Sequence, residues 1–460
     1  MTYVGAPYNF VSFPDKVIVR YDDISQLPRH DRYVEGAYTG NIQFSIVAET
    51  PIMVSNGISS PKQFLRNEKG DFIIPGNTMR GLLRTAVQVL GQCDISADIE
   101  DQRYLYRMFS NANKSLGNQY KQHIGFSVEE QDIGGFTSAK TVLTHVKAGY
   151  IKKTGKDSYV IIPAKVDHQG RQYYKVKEFE MRRMPGIAAI QDKIKWMYSK
   201  DIANHVHARK RLIAKDWEWY EQLKRIEQKT FEPYSTSISY SFDTGRDKVT
   251  DLAEASKLPL QGTILCTGFV QRKIHHYVVR EPDAHVPGIP IDKSDIEAYE
   301  RDLRLKKGNK EYYRLPRDEH MLKPVFYITN GERVDFGFMP YLRVFYNHSV
   351  REGVPPAARI SGEQMDYAQS IFGFVNRRSG DEKASYRGRI SVMDLHCTEG
   401  KTMKEQSMML FEPRAASYPL YVKQNDVWTS YNDSGFELRG MKQYWMRQAE
   451  APEAVLDRDG

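Results

Sequence analysis

The spacing of apolar and polar residues divides the 460-residue chain into stretches of different period. Ile42, Phe44, Ile46 and Ala48 alternate with Gln43, Ser45, Val47 and Glu49, which predicts a half-buried strand. Phe72, Ile73 and Ile74 form a short apolar run, as in a buried strand, and Pro75-Gly76 breaks it. Met79, Leu82, Leu83, Ala86, Val87 and Leu90 then recur at three- and four-residue spacing. That period predicts a helix with those side chains on one buried face. Asn77 or Thr78 is placed to cap its first turn.

Beyond this anchor, Tyr104, Leu105, Tyr106, Met108 and Phe109 predict a short helix. Lys140 to Val166 has strand composition, and a glycine turn at Thr154 to Lys156 predicts a hairpin at its end. Ile187 to Gln228 is free of proline and glycine and predicts the longest helical stretch. Leu258 to Val279 returns to strand character, and Asp283 to Lys310 reads as a charged, exposed insertion. Val325 to Tyr346 predicts two strands with Gly331 between them, and Pro340 interrupts the second. Glu363 to Phe374 predicts a short helix and Gly388 to His396 a strand.

In order these elements run strand, helix, long insertion, strand pair, helix, strand. The expected class is therefore α+β, with a ferredoxin-like or RRM-like core (βαββαβ) and a large inserted subdomain. Residues 39–92 would form the first half of that core and 325–448 the second. Residues 93–324 would be the inserted subdomain and thumb, 1–38 an extended arm and 449–460 a frayed tail. The RRM aromatic signature is absent, so base stacking on the sheet in the RRM manner is not expected.

Composition narrows the classes. Hydrophobic residues are 40% and charged residues 27%, as in a globular protein. No apolar run is long enough to span a membrane, and the N-terminus has no secretory pattern. Cys93, Cys266 and Cys397 lie far apart, which suggests a reducing cytoplasm and supplies no zinc cluster. Net charge is +8, but it is unevenly spread. Lys140 to Lys229 holds 21 Lys and Arg against 10 Asp and Glu, leaving the remainder at 45 against 48. A localised basic surface suits a phosphate-backbone partner, and the same composition also fits a solvated lysine-rich face.

Two places carry candidate chemistry. Arg80 and Arg84, four residues apart beside the helix N-terminus, and the bare Gly81 make an anion site for which phosphate is the obvious ligand. An ordinary strand–turn–helix with solvated arginines reads the same way. The stretch is neither a Walker loop nor a dinucleotide fingerprint, because no Gly-Lys-Ser/Thr ends it and the spaced glycines are missing. Arg209, Lys210, Arg211 and Lys215, with Trp217 and Trp219 nearby, could lie along RNA, although tryptophans at helical spacing also fit a core. The histidines, His30, His205, His207, His275, His276 and His396, show no carboxylate at a compelling spacing and read as structural or surface residues. Asp394 reads as a strand-end turn residue.

The segment IPGNTMRGLLR, Ile74 to Arg84, resembles the "IPGSSxxGxxR" element of the RAMP proteins, RNA-binding subunits of CRISPR effector complexes. GNIQFSIVAETPIMVSNG from Gly40 resembles the first strand and loop of that family. IFGF (Ile371 to Phe374) and YRGRISVMD (Tyr386 to Asp394) resemble its closing "FG…GR" strand. The opening PYNFVSFPDKVIV, His30 to Tyr33, GYIKKTGKDSYVIIPA from Gly149 and LRGMKQYW from Leu438 look more specifically like the RAMP proteins of type III-D systems.

The resemblance implies the RRM-like core and a backbone subunit that holds crRNA and target RNA alongside other Cas subunits, in the cytoplasm and away from membranes. The RNA-binding set would be Asn77, Thr78, Arg80, Gly81, Arg84, Arg209, Lys210, Arg211, Lys215, Arg387 and Arg389. The alternative is a metal-dependent endoribonuclease that cleaves target RNA or processes pre-crRNA, and a DNA-binding scaffold is a third reading. Family members that cut carry an aspartate in the loop before the anchor helix. Alignment of Ser60-Pro61 and IIPG places Ser59 there, and a neutral hydroxyl is a poor metal ligand. Glu68 and Asp71 are the nearby acids, with Asp71 reading as a turn cap. No cofactor is expected, and Mg or Mn only if the subunit is a nuclease.

Overall fold

A computed structural model describes residues 8–48, 51–57, 62–99, 101–109, 114–132, 137–198, 200, 231–267, 273–305, 311–329, 333–360, 363–379, 382–397, 399–402, 415–424 and 428–444. The class is mixed α and β. The chain divides into two units, one of residues 1–101 with 348–460 and one of residues 102–347. The strands at 322–337, counted above with the second half of an RRM-like core, lie in the second unit.

The 102–347 unit is built on two antiparallel five-stranded sheets. One runs in the order Lys248–Ala253, Tyr234–Asp243, Leu260–Cys266, His275–Arg280, Tyr173–Lys177. The other runs Ile289–Ile291, Ser158–Pro163, Lys147–Gly155, Leu322–Thr329, Val334–Gly337. Central strands such as His275–Arg280 and Leu322–Thr329 are buried on both faces, with successive side chains turned to opposite sides of the sheet. Ile238, Tyr240, Ile264 and Val278 of the first sheet pack with Met181 and Ile190. Ile151, Ile161, Val325 and Phe336 of the second pack with Ile296, Tyr299 and Leu303. Each such buried side chain contributes roughly 1.5–3 kcal/mol. Tyr150 of the second sheet reaches the first, where its hydroxyl donates to the Arg280 carbonyl at 3.0 Å and lies 3.1 Å from Thr263 Oγ1.

The predicted hairpin is present, with its turn between Gly155 and Ser158 and Asp157 in the left-handed region at φ +60°. Both strands flanking Gly331 are present too. Three expectations fail in this unit. Leu105–Tyr106 is a strand paired with Val344–Phe345, not a helix. The charged stretch 283–310 is not simply exposed, because Lys293–Leu305 is a helix that buries Ile296, Tyr299 and Leu303. Spacings of three and four there mark a helical face that the surrounding charges hid. Residues 185–193 form 3-10 turns rather than the start of a long helix, and 201–230 lie outside the described residues.

In the other unit the N-terminal arm is pinned by short strands. Tyr8–Val11 pairs with Met441–Tyr444, and Val19–Tyr21 pairs with Met365–Asp366. Phe72–Ile74 pairs with Leu395–Cys397, and Gly373–Ser379 with Glu382–Arg387. The anchor helix spans Gly76–Leu90, and a second helix, Tyr367–Phe372, lies against it. Buried Asp366 ties the two, accepting the Asp94 N–H at 3.0 Å and capping its own helix through the Gln369 N–H at 2.8 Å. Only part of the predicted strand 388–396 is formed, since residues 388–394 run as an irregular segment.

The predicted strand at 42–48 has no strand partner among the described residues and is not a strand; Ile42 is 91% and Val47 82% exposed. Alternation says which side of a strand would be buried, but a strand exists only where a neighbour accepts its hydrogen bonds. The anchor helix likewise departs from its predicted face. Met79 and Gln88 are buried, whereas Leu82, Leu83, Ala86 and Leu90 are exposed among the described residues. No helix among the described residues is long and apolar enough to cross a membrane.

Candidate nucleic-acid interface

The site lies in the first unit, where residues 388–394 cross the N-terminus of the anchor helix. Gly76 is required by this crossing, because a Cβ there would strike the Val392 carbonyl oxygen. The Gly76 N–H donates to Asp394 Oδ1 at 2.7 Å. A carboxylate thus already holds the helix end that the spacing offered to a phosphate. Asp394 is therefore a long-range helix cap rather than a strand-end turn residue. Asn77 and Thr78 do not cap; both sit exposed inside the first turn, and Pro75 precedes the helix.

Arg80 turns away from that end. Its guanidinium donates to the Phe372 carbonyl, lies 5.8 Å from the Phe372 ring centre and packs against Gly388. A Cβ on Gly388 would stand 2.7 Å from the Arg80 terminal nitrogen. Arg387 and Arg389 flank Gly388 and are exposed. Arg80 thus meets, across the fold, the glycine that lies between Arg387 and Arg389 in the sequence. Gly373, at φ +78°, permits this arrangement. It ends the 367–372 helix at a positive φ open to glycine while packing on the Tyr386 carbonyl oxygen, where no side chain fits. The Arg389 N–H donates to the Ile371 carbonyl at 2.8 Å and its guanidinium to the Pro28 carbonyl at 3.2 Å. The Arg387 guanidinium has no partner among the described residues.

Arg84, one turn along the helix, pairs with Asp98 at 3.2 Å, and Asp98 also accepts from Gln88 at 2.6 Å. Arg84 is thus partly neutralised. Gly81 meets nothing within 4 Å of a would-be Cβ and leaves that side of the helix open.

Arg209, Lys210, Arg211 and Lys215 lie outside the described residues, as do Ser59, His205, His207, Trp217 and Trp219. Among the described cations of the basic segment, Lys165, Arg171, Lys193 and Lys195 pair with Glu281, Asp247, Glu254 and Glu232. All four acids lie outside the segment, so folding offsets part of its positive excess. Of the two acids near the anchor, Asp71 closes a turn. It accepts from Asn67 Nδ2 at 2.9 Å, and its own N–H donates to Asn67 Oδ1. Glu68 is exposed at the tip of that turn. Among the described residues no group of three or more His, Cys, Asp or Glu is placed to hold a metal ion.

Two histidines have carboxylate partners that sequence spacing could not reveal. His276 is fully buried, with Nε2 at 3.0 Å from Glu178 and Nδ1 at 2.8 Å from the Tyr234 hydroxyl. Burial pushes its pKa down while Glu178 opposes that shift. The neutral ring therefore donates from Nε2 to the carboxylate and accepts the tyrosine proton at Nδ1. Glu178 also accepts the Met197 and Tyr198 N–H groups at 2.7 and 3.0 Å and pairs with Arg182. Glu178 and His276 are fully buried at the centre of this network, which fastens the 178–198 segment to the sheet. His123 Nε2 lies 2.7 Å from buried Asp335, whose other oxygen accepts the Phe345 N–H at 2.8 Å. The partners are 98 and 212 positions apart, beyond any local pattern.

Comparison with known proteins finds no match for this chain among family models, curated proteins or solved structures.

Proposed function

We propose that this chain is an RNA-binding backbone subunit of a type III CRISPR effector ribonucleoprotein, holding guide RNA and the guide–target duplex in the cytoplasm. The observation that carries the reading is the contact of Arg80, on the anchor helix, with Gly388, which lies between the exposed Arg387 and Arg389. The motifs that resemble the RAMP pattern, Ile74 to Arg84 and Tyr386 to Asp394, are those that meet there. Arg387 and Arg389 are the phosphate-binding members, and Arg80 holds the glycine between them through its contacts with Phe372 and Gly388. The RRM-like core belongs to the same proposal. In its support, the strand before the anchor helix pairs antiparallel with Leu395–Cys397, the strand that directly follows the second motif.

The chain acts as a scaffold in this reading, since Asp71 is engaged in its turn and Ser59 stands where the family's cleaving members have aspartate. The test is to purify the chain with its operon neighbours, sequence the bound RNA, and measure guide affinity for Arg387→Glu/Arg389→Glu over a salt series. A large loss of affinity, with the salt slope reduced by about two phosphate contacts, is expected. Unchanged RNA retention would remove the site. Incubation of the complex with target RNA and Mg or Mn should give no cut that vanishes in Glu68→Ala or Asp71→Ala; such a cut would establish the nuclease reading instead.

A further inference from the structure

Beside Arg389, whose guanidinium lies 3.5 Å from the Tyr386 hydroxyl, stands a ladder of three aromatic rings drawn from three parts of the first unit. Phe374 and Tyr386 stack at 6.1 Å with their planes 24° apart, and His30 lies 4.9 Å from Tyr386 at 31°. The ladder is fixed from behind. The Tyr386 hydroxyl donates to the Pro28 carbonyl at 2.8 Å, and Arg389 donates to the same oxygen, so the 28–32 turn is fastened over the 382–387 strand. Tyr386 and Phe374 are partly covered, whereas His30 is exposed at the end of the ladder. The neighbouring acid, Asp31, is neutralised by Arg29, which grips both its oxygens at 3.0 and 2.5 Å, and by Arg32 at 3.7 Å. That pairing lowers the Asp31 pKa and leaves little net negative charge beside the ring.

An exposed ring backed by two more, next to cations, has the composition of a site for single-stranded nucleic acid. Bases in a duplex already stack on one another, so only an unpaired base can meet such a ring. We propose that an unpaired RNA base stacks on His30, with Tyr386 and Phe374 as its rigid backing and Arg387 and Arg389 taking the adjoining phosphates. This rests on the RNA-binding reading above and adds a residue and a ligand state to it. Stacking of this kind tolerates any base, so the site holds strand rather than sequence.

The test uses the full chain and a short single-stranded RNA carrying 2-aminopurine, whose fluorescence falls when it stacks. Wild type should bind with quenching, and a duplex of the same sequence should show no quenching. His30→Ala should lose about tenfold in affinity together with the quench. His30→Tyr should restore both, and His30→Gln should behave as alanine with an unchanged melting temperature. If His30→Ala keeps affinity and quenching while Arg387→Glu/Arg389→Glu loses binding, the stacking site is wrong and the RNA reading stands. If wild type binds no RNA, both fall.

Discussion

The backbone N–H of Gly76 and the carboxylate of Asp394 meet at 2.7 Å although 318 positions separate them. Through this bond the closing motif of the chain caps the helix that its early motif begins. An anionic cap at a helix N-terminus satisfies a free N–H and complements the helix dipole. Asp394→Ala should cost about 1 kcal/mol, seen as a lower melting temperature, while Asp394→Asn should cost less because the amide oxygen still accepts the bond. Equal melting for wild type and Asp394→Ala would show that the cap is not formed in solution.

Arg80 and Arg84 should separate cleanly. Arg80 is bound to the Phe372 carbonyl and wedged against Gly388, so Arg80→Glu should destabilise the fold by roughly 1.5–3 kcal/mol. Arg84 holds only a half-exposed pair with Asp98, so Arg84→Ala should change stability by at most about 1 kcal/mol. Chemical denaturation of the two variants side by side decides this, and equal losses would contradict the assignment.

Gly373 combines φ +78° with a contact to the Tyr386 carbonyl that leaves no space for a Cβ. Gly373→Ala should therefore cost well over about 1 kcal/mol and loosen the strand pair that carries Arg387. Faster amide exchange in residues 382–387 is the expected signature, and an unperturbed exchange pattern would refute it.

Glu178 is a fully buried carboxylate held by His276, Arg182 and two backbone N–H groups. Substituting alanine leaves buried His276 and the Met197 and Tyr198 N–H groups without their acceptor and removes the partner of half-buried Arg182, and should cost on the order of 3–5 kcal/mol. Thermal unfolding of Glu178→Ala measures it; a loss below about 1 kcal/mol would contradict the network.

His275 gives the chain a pH dependence. Burial first, then Lys175 and Lys177, push its pKa down to about 4 from an unfolded value of 6.5. The unfolded chain therefore takes up this proton first as pH falls. The contribution to stability is fully present above pH 6.5 and is lost between 6.5 and about 4, up to about 3 kcal/mol. The denaturation midpoint of wild type should fall relative to that of His275→Gln as pH drops through that window. Parallel curves would refute the shift.

The sequence by itself determined the elements whose signal is local. The Pro-Gly break and three-to-four spacing place the anchor helix, found at Gly76–Leu90. The glycine turn places the Lys147–Pro163 hairpin, and the runs around Gly331 place two strands. Tertiary structure alone decided what those elements face. The alternation at Ile42 to Ala48 did not make a strand, because a ladder needs a neighbour. Leu82 and Leu90 match a buried period yet stay exposed, because burial depends on what packs against a helix rather than on its own spacing. Asp394 on Gly76, Glu178 on His276 and Asp335 on His123 are contacts across 98 to 318 positions. Such pairs depend on where the folded chain carries two side chains, and no repeat along the sequence encodes that distance.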